Sequence, residues 1–476
     1  MVQDKFGEHA SGASLPMRIV ERGSTVGARH AVPLLLWIAS FIAVFAPARA
    51  NAQLQSPRKP AAKSAASAAR SKEDPLAPLL RQGADAIEKQ DFAAALDPLQ
   101  KYVAGRPDDS YAHFQLGFAY AGLKRAGEAK AEFMRAVALD PKLAAGYLNL
   151  GLVLMDGDPA AAADAFGHAV SLQPSESRPR FLQGLSLERA GKLPEAIVMY
   201  RSGLALDPSS YEIHFALGRA LLQTKDASGA ETEFRGALDN LDQSAPARLG
   251  LATALQDQKK YEAASAAFAD YFKLKPDDRA AHFDRAFSLL NLDRLDDALA
   301  ELDLADGSGS PAPESLKMRG EIYMQQKKWN QARETLTQAV KLSSNDSETA
   351  YWLGHVDFEL HDYPAAIGIL SQVYKQNPQS ADALRELASA LFLHEDFAAA
   401  LGAMDQLDKM EPPKPGSWFV RAICYDKLLQ KAEAADAYQK FLDQDNGQHE
   451  NQDLEAAHRM AALRKELAQN GKKGKN

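Results

Sequence analysis

One feature constrains this chain more than any other: a pattern that returns every 34 residues. Aligning Ser110-Tyr-Ala-His-Phe-Gln-Leu-Gly117 with Tyr211-Glu-Ile-His-Phe-Ala-Leu-Gly218 places repeat starts at 76, 110, 144, 177, 211, 245, 279, 313, 347, 381 and 415, and only the step from 144 to 177 is a residue short. A fixed period of this size means a stack of small units, none of which buries its apolar face alone. A chain of 476 residues built any other way needs several separate cores.

Within the period, side-chain size alternates in a way that two packed helices require. Position 8 is always Gly or Ala, from Gly83, Gly117 and Gly151 to Ala388 and Ala422, and position 20 is Ala in all eleven units, from Ala95 to Ala434. Small residues let two helix backbones approach where a larger side chain would wedge them apart. Position 24 supplies the filling: Leu99, Phe133, Phe166, Tyr200, Phe234, Phe268, Leu302, Leu336, Leu370, Met404 and Tyr438 are all bulky and apolar. Leu stands at position 7 in six units, Leu116 and Leu353 among them. The second helix commonly stops at a proline near position 32, as at Pro107, Pro141, Pro208 and Pro378, because proline lacks the N–H that continuation needs.

Leu116-Gly117 with Tyr120, then Ala129, Phe133, Ala136 and Pro141, resembles the tetratricopeptide repeat (TPR). The likeness runs over residues 76–448. It implies an all-α fold, an α-solenoid of about eleven antiparallel helix pairs wound into a right-handed superhelix, with first helices lining the concave face. Residues 449–476 read as a capping helix and basic tail, with Ala456, Met460, Leu463 and Leu467 at helical spacing. Gln82, Gln183, Arg285, Arg319 and Arg421 depart from the position-7 Leu, and Asp242, Ser310, Ser344 and Asn446 from the terminal Pro. Looser joints are expected there.

The first 52 residues read as an address. Residues 31–46, AVPLLLWIASFIAVFA, form an uncharged apolar run preceded by Arg18, Arg22 and Arg29 and followed by Ala48-Arg49-Ala50 and Ala50-Asn51-Ala52. That is the order of a secretory signal, with cleavage expected after Ala50 or Ala52. An uncleaved signal anchor, and so a membrane tether, is the alternative, since the run is only slightly shorter than a bilayer span. Met17 gives a more ordinary leader than Met1. Residues 53–75, rich in Pro, Ala, Ser and Lys, read as a flexible linker. Export places the protein in a bacterial periplasm or cell envelope.

Signals for chemistry are sparse. With 55 basic against 63 acidic residues and a net charge of −8, the chain lacks the concentrated basic surface of a nucleic-acid binder. Cys424 is the single cysteine, which rules out an internal disulfide. His113, His214 and His282 all fall at position 4, so their recurrence follows from the repeat and needs no metal. Gly307-Ser308-Gly309-Ser310-Pro311 lacks the lysine and spacing of a phosphate loop and reads as a turn. Asp443, Asp445 and Gly447 miss the spacing of a calcium loop. No catalytic residue, metal site, cofactor or small-molecule substrate is expected.

Position 5 carries the functional expectation. Phe114, Phe181, Phe215, Phe283, Tyr351 and Phe419 stand there, where the family's architecture implies a side chain facing the concave groove. Rings along a groove suit a peptide or a partner helix. Equally, they can pack between neighbouring first helices, and both readings stand at this stage. A carboxylate clamp of the co-chaperone kind is not reproduced, since Leu80, Phe114 and Leu148 occupy position 5 of the early repeats and only Asn149 fits. The expected function is an exported, non-catalytic scaffold that binds proteins or peptides through its groove. The alternative is a structural, self-associating subunit of an envelope assembly.

Overall fold

The structure, a computed structural model, describes residues 74–445 and 447–473. The leader at 1–52 and all but the last two residues of the 53–75 linker lie outside them. The described residues hold 23 helices and no strand, and they divide into an N-terminal unit, residues 74–276, and a C-terminal unit, residues 277–473.

The N-terminal unit is six helix pairs: α1 (Ala77–Glu88) with α2 (Phe92–Gly105), α3 (Ser110–Gly122) with α4 (Ala126–Leu139), α5 (Ala144–Leu154) with α6 (Pro159–Leu172), α7 (Ser177–Arg189) with α8 (Leu193–Leu204), α9 (Tyr211–Gln223) with α10 (Ala227–Asn240), and α11 (Ala245–Asp257) with α12 (Tyr261–Phe272). The C-terminal unit continues with α13 (Arg279–Asn291) and α14 (Leu295–Asp306), α15 (Pro313–Gln325) and α16 (Trp329–Leu342), α17 (Ser347–Glu359) and α18 (Tyr363–Gln376), α19 (Ala381–Leu393) and α20 (Phe397–Leu407), and α21 (Pro415–Lys427) and α22 (Lys431–Asp445). A last helix, α23 (Glu450–Lys473), packs on α22 and closes the stack. In each unit a first helix also touches the first helix of the next repeat, as α1, α3 and α5 do, and as α17 and α19 do. Within each unit these first helices therefore share one face.

Short polar side chains start these helices. Asp91, Asp158, Asp226, Asp362 and Asp396 each accept a hydrogen bond from the backbone N–H three residues on, capping a second helix; Ser210, Ser244, Asp278 and Ser380 do the same for first helices. The first helices end alike as well. A left-handed residue follows the cap, at Gln90, Lys124, Lys225, Lys259, Asp293, Lys327, His361, Glu395 and Leu429 and at Gly191. The next N–H then turns back onto the helix, as Arg125 does onto the Tyr120 carbonyl at 2.9 Å, closing a Schellman motif. The third repeat, one residue short, makes its turn at 155–158 without any left-handed residue.

Inside each repeat the seam is what the alternation of small and large residues requires. All eleven position-20 alanines are 0% exposed, and every position-24 side chain is buried. The position-8 residue lies against the position-24 side chain of its own repeat. A Cβ at Gly151 would sit 2.7 Å from the Phe166 ring, and one at Gly184 would sit 2.5 Å from Tyr200, closer than carbon atoms pack.

The looser joints expected at the position-7 departures are seen at Arg319 and Arg421, where consecutive helices approach over the smallest extent in the C-terminal unit, and arginine adds ion pairs at these positions. Arg285 pairs with Glu301 at 2.5 Å. Arg319 reaches Asp303 and Asp306, both at 2.8 Å, and Arg421 reaches Asp405 at 2.5 Å and Asp408 at 2.7 Å. Charge replaces hydrocarbon at these sites because the long, forked guanidinium spans a gap that a leucine does not fill.

Candidate functional site

Each position-5 side chain projects from a first helix, and the structure places the six expected residues in two groups. Phe114 is 1% exposed, and Phe215 and Phe419 are 7% exposed. Their rings turn inward onto position 24 of the same repeat: Phe114 meets Phe133 at 5.8 Å between centroids, Phe215 meets Phe234 at 5.9 Å, and Phe419 meets Tyr438 at 6.1 Å. Aromatic pairs at such distances contribute to the seam itself. Phe181, Phe283 and Tyr351 are only half-buried, although Phe181 also touches Tyr200, at 6.2 Å. The available ring area on first helices therefore lies at Phe181 in the N-terminal unit and at Phe283 and Tyr351 in the C-terminal unit.

Around Tyr351 the face changes character. Lys317, at position 5 of the eighth repeat, donates to Asp346 at 3.0 Å and to Glu348 at 2.5 Å in the ninth, with its ammonium 5.1 Å from the Trp352 ring centre. His355 meets Glu386 of the tenth repeat at 2.5 Å through Nδ1. Burial alone would lower the His355 pKa, but the hydrogen bond and charge of Glu386 outweigh it, so the net shift is upward. Burial, with the nearby Glu386 and Asp382 carboxylates, raises the Tyr351 phenol. Arg385, at position 5 of the tenth repeat, pairs with Asp382 at 2.6 Å and Glu411 at 2.8 Å. Three successive first helices thus carry a continuous ladder of charged and hydrogen-bonding side chains.

Sequence reasoning missed the ladder. Its members are single residues, whereas the partners of Lys317 and His355 lie 29 to 31 residues onward and Glu411 lies 26 beyond Arg385.

Other titratable groups have structural roles. His113, His214 and His282 meet Glu132, Glu233 and Glu301 at 2.6, 2.7 and 2.6 Å, each tying a first helix to its own second helix. In the N-terminal unit, Lys260, Gln258 and Arg235 gather on Glu231; the hydrogen bond from Lys260 above all, helped by Gln258 and Arg235, overcomes partial burial and holds that carboxyl down at about 2. The Asp445 carboxylate accepts from the backbone N–H and ring of His449, which fixes the turn into α23. Burial pushes the Cys424 thiol up to about 12, with Arg421 pulling the other way, so it is no nucleophile near neutral pH. A cleft of about 290 Å³ between α4, α5 and α6 is lined chiefly by Met134, Tyr147, Leu150 and Leu154, with Lys130, Asp164 and His168 beside them. Among the described residues, no group of three or more His, Cys, Asp or Glu is arranged to hold a metal ion. No described helix is long and apolar enough to cross a membrane.

Comparison with known proteins agrees with this architecture. Family models described as tetratricopeptide repeat match residues 148–210, 181–245, 249–313 and 353–417, residues 110–143 and 313–346, and residues 417–445. Together they take in more than half of the chain, which belongs to the tetratricopeptide repeat family. Repeats of this family generally bind proteins or peptides and are generally non-catalytic. A stretch of 226 residues is 23% identical to the DnaJ homolog subfamily C member 7 homolog of Schizosaccharomyces pombe, covering 46% of this chain and 42% of the relative. The chain thus spans under half the length of that relative.

Similar solved structures include a tetratricopeptide repeat protein from Parabacteroides merdae, 18% identical with a TM-score of 0.37, covering 52% of this chain and 98% of that one. MamA from Desulfovibrio magneticus is 22% identical with a TM-score of 0.34, covering 36% and 97%. YrrB, described as a TPR protein with an unusual peptide-binding site, is 18% identical with a TM-score of 0.37, covering 39% and 97%.

Proposed function

We propose that this protein is an exported, non-catalytic scaffold that holds a protein or peptide against the shared face of its first helices. In this reading residues 1–52 direct export to a bacterial periplasm or cell envelope, 53–75 tether the array, 76–448 form the eleven repeats, and 449–476 cap and end it. The observation that carries it is the partial exposure of Phe181 in the N-terminal unit and of Phe283 and Tyr351 in the C-terminal one, apolar area left uncovered on first helices whose other position-5 rings are spent on the core. Such area costs free energy in water and is regained when a partner covers it.

The test is capture of partners from a native envelope fraction, followed by binding measured with Phe181→Ala and Phe283→Ala. Affinity should fall while the melting temperature stays nearly unchanged. Phe215→Ala, which opens a hole against Phe234, should lose melting temperature instead. Loss of melting temperature in all three variants, with no change in binding, contradicts the reading. Exposed Met134, Leu172 and Val198 on second helices favour a second reading, self-association through outer faces. Light scattering separates the two, because a monomer at working concentration removes the second.

A further inference from the structure

We propose that the connectors at 307–312 and 408–414 in the C-terminal unit are hinges held closed by charge, Arg319 latching the first and Arg421 the second. Several independent features coincide at these two places. Among consecutive helices of the unit, α14 with α15 and α20 with α21 approach each other over the smallest extent. Their connectors are the irregular ones. Residues 307–312 contain Gly307, with φ of +58°, and Pro311, and residues 408–414 contain Pro412 and Pro413, whereas the joints at 343–346 and 377–380 are short turns. Both places also exchange leucine for arginine at position 7, where Leu353 and Leu387 stand in the intervening repeats.

The two clasps have the same construction. Arg319 reaches back to Asp303 and Asp306, three residues apart on α14. Arg421 reaches back to Asp405 and Asp408, three residues apart on α20. Ser315 donates a further bond to Asp306 at 2.9 Å, and Arg385 of α19 holds Glu411 in the second connector. In each clasp one carboxylate is partly covered and the other faces water: Asp306 and Asp408 are half-buried while Asp303 and Asp405 are exposed.

This arrangement sets the energetics of a hinge. Opening an apolar joint exposes hydrocarbon, a cost that grows with area. Opening an ionic joint returns two desolvated partners to water, and rehydration offsets most of the lost attraction. The closed state is therefore favoured by a narrow margin, directional and sensitive to ions at its exposed end. A latched joint thus has two arrangements of similar free energy, as a switching element needs.

Distance measurements between spin labels on the full chain test this. Cys424 is buried, so labels go on introduced cysteines at exposed turns: Asp293→Cys with Lys327→Cys across the first hinge, Glu395→Cys with Gln430→Cys across the second, and Lys225→Cys with Lys259→Cys as the control in the N-terminal unit. Raising NaCl from about 0.05 M to about 1 M shortens the Debye length from over 10 Å to about 3 Å. Both hinge distributions should then broaden and shift while the control stays fixed. A neutral clasp, Arg421→Gln with Asp405→Asn and Asp408→Asn, should give the broad distribution at low salt with no further response. Should that variant not fold, the salt series on the native clasps decides alone. Hinge distances indifferent to salt, or a control that broadens equally, overturn the proposal.

Discussion

The N-terminal and C-terminal units are built from the same repeat and differ in how one repeat is joined to the next. Within repeats the seams match: Gly117 against Phe133 in one unit and Gly320 against Leu336 in the other are all buried. Between repeats they diverge. In the first half of the N-terminal unit a single apolar cluster runs from Ile87 to Leu182, through Leu116, Leu148 and Phe166. Buried residues of the C-terminal unit gather in shorter clusters, spanning residues 286–322, 324–356, 366–424 and 419–463. Charged side chains bridge the repeats there: Arg319, Lys317, His355, Arg421 and, onto the last helix, Arg459 with Asp426 at 2.5 Å. The N-terminal unit has such links too, notably Arg219 with Glu188 at 2.6 Å, but its first repeats also share the hydrocarbon of one cluster. The helix pair itself thus demands one solution, small against large, whereas the joint between pairs accepts either apolar packing or ion pairs.

The largest effect should come from the apolar side. Phe166→Ala removes a fully buried ring from the continuous cluster and should cost about 3 to 5 kcal/mol, read as a lower urea midpoint. Exchange protection should fall in α5 to α7 and not in α17 to α23. Arg421→Ala comes next, at about 1 to 2 kcal/mol, because it removes the buried arginine stem from the joint and leaves the half-buried Asp408 without its cation. Its loss should stay near α20 and α21, and Arg421→Met, which restores bulk, should recover part of it. A loss spread over both units would break the comparison.

Smaller again is Leu429→Gly. Leu429 holds a left-handed backbone at 78% exposure, so glycine relieves strain and should stabilise by about 0.5 to 1 kcal/mol, visible as a slower-exchanging α21 terminus.

The smallest effect is the pH dependence of His355. Its pKa is raised in the folded chain, so its contribution is full below the ordinary histidine value, about 6.5, and is lost as pH rises through the folded value. Between pH 6 and pH 8 the native protein should lose stability more steeply than His355→Gln. Equal slopes would remove His355 and Glu386 from the set of ionic joints.

Most of the helix-pair seam was legible in the sequence, since positions 8, 20 and 24 face one another within one repeat and their sizes recur. Position 5 was legible in register and not in exposure. Phe114 and Phe181 occupy the same place, and only local packing decides that one is covered and the other partly open. The left-handed turn residues escaped notice because Gly191 alone advertises itself, whereas Lys124 or Glu395 in the same conformation carries no such signal. Ionic joints were harder still. An arginine at position 7 looks like a defect in an apolar pattern until Asp303 and Asp306, or Asp405 and Asp408, are brought beside it by the fold.

Hydrogen exchange of the full chain at low and high NaCl tests the central contrast most directly, because it reads every helix in one experiment. Raising salt to about 1 M should speed exchange in α14, α15, α20 and α21, where screening weakens the clasps, and should leave α1 to α6 unchanged. Equal acceleration in both units, or none in the C-terminal one, would contradict the account.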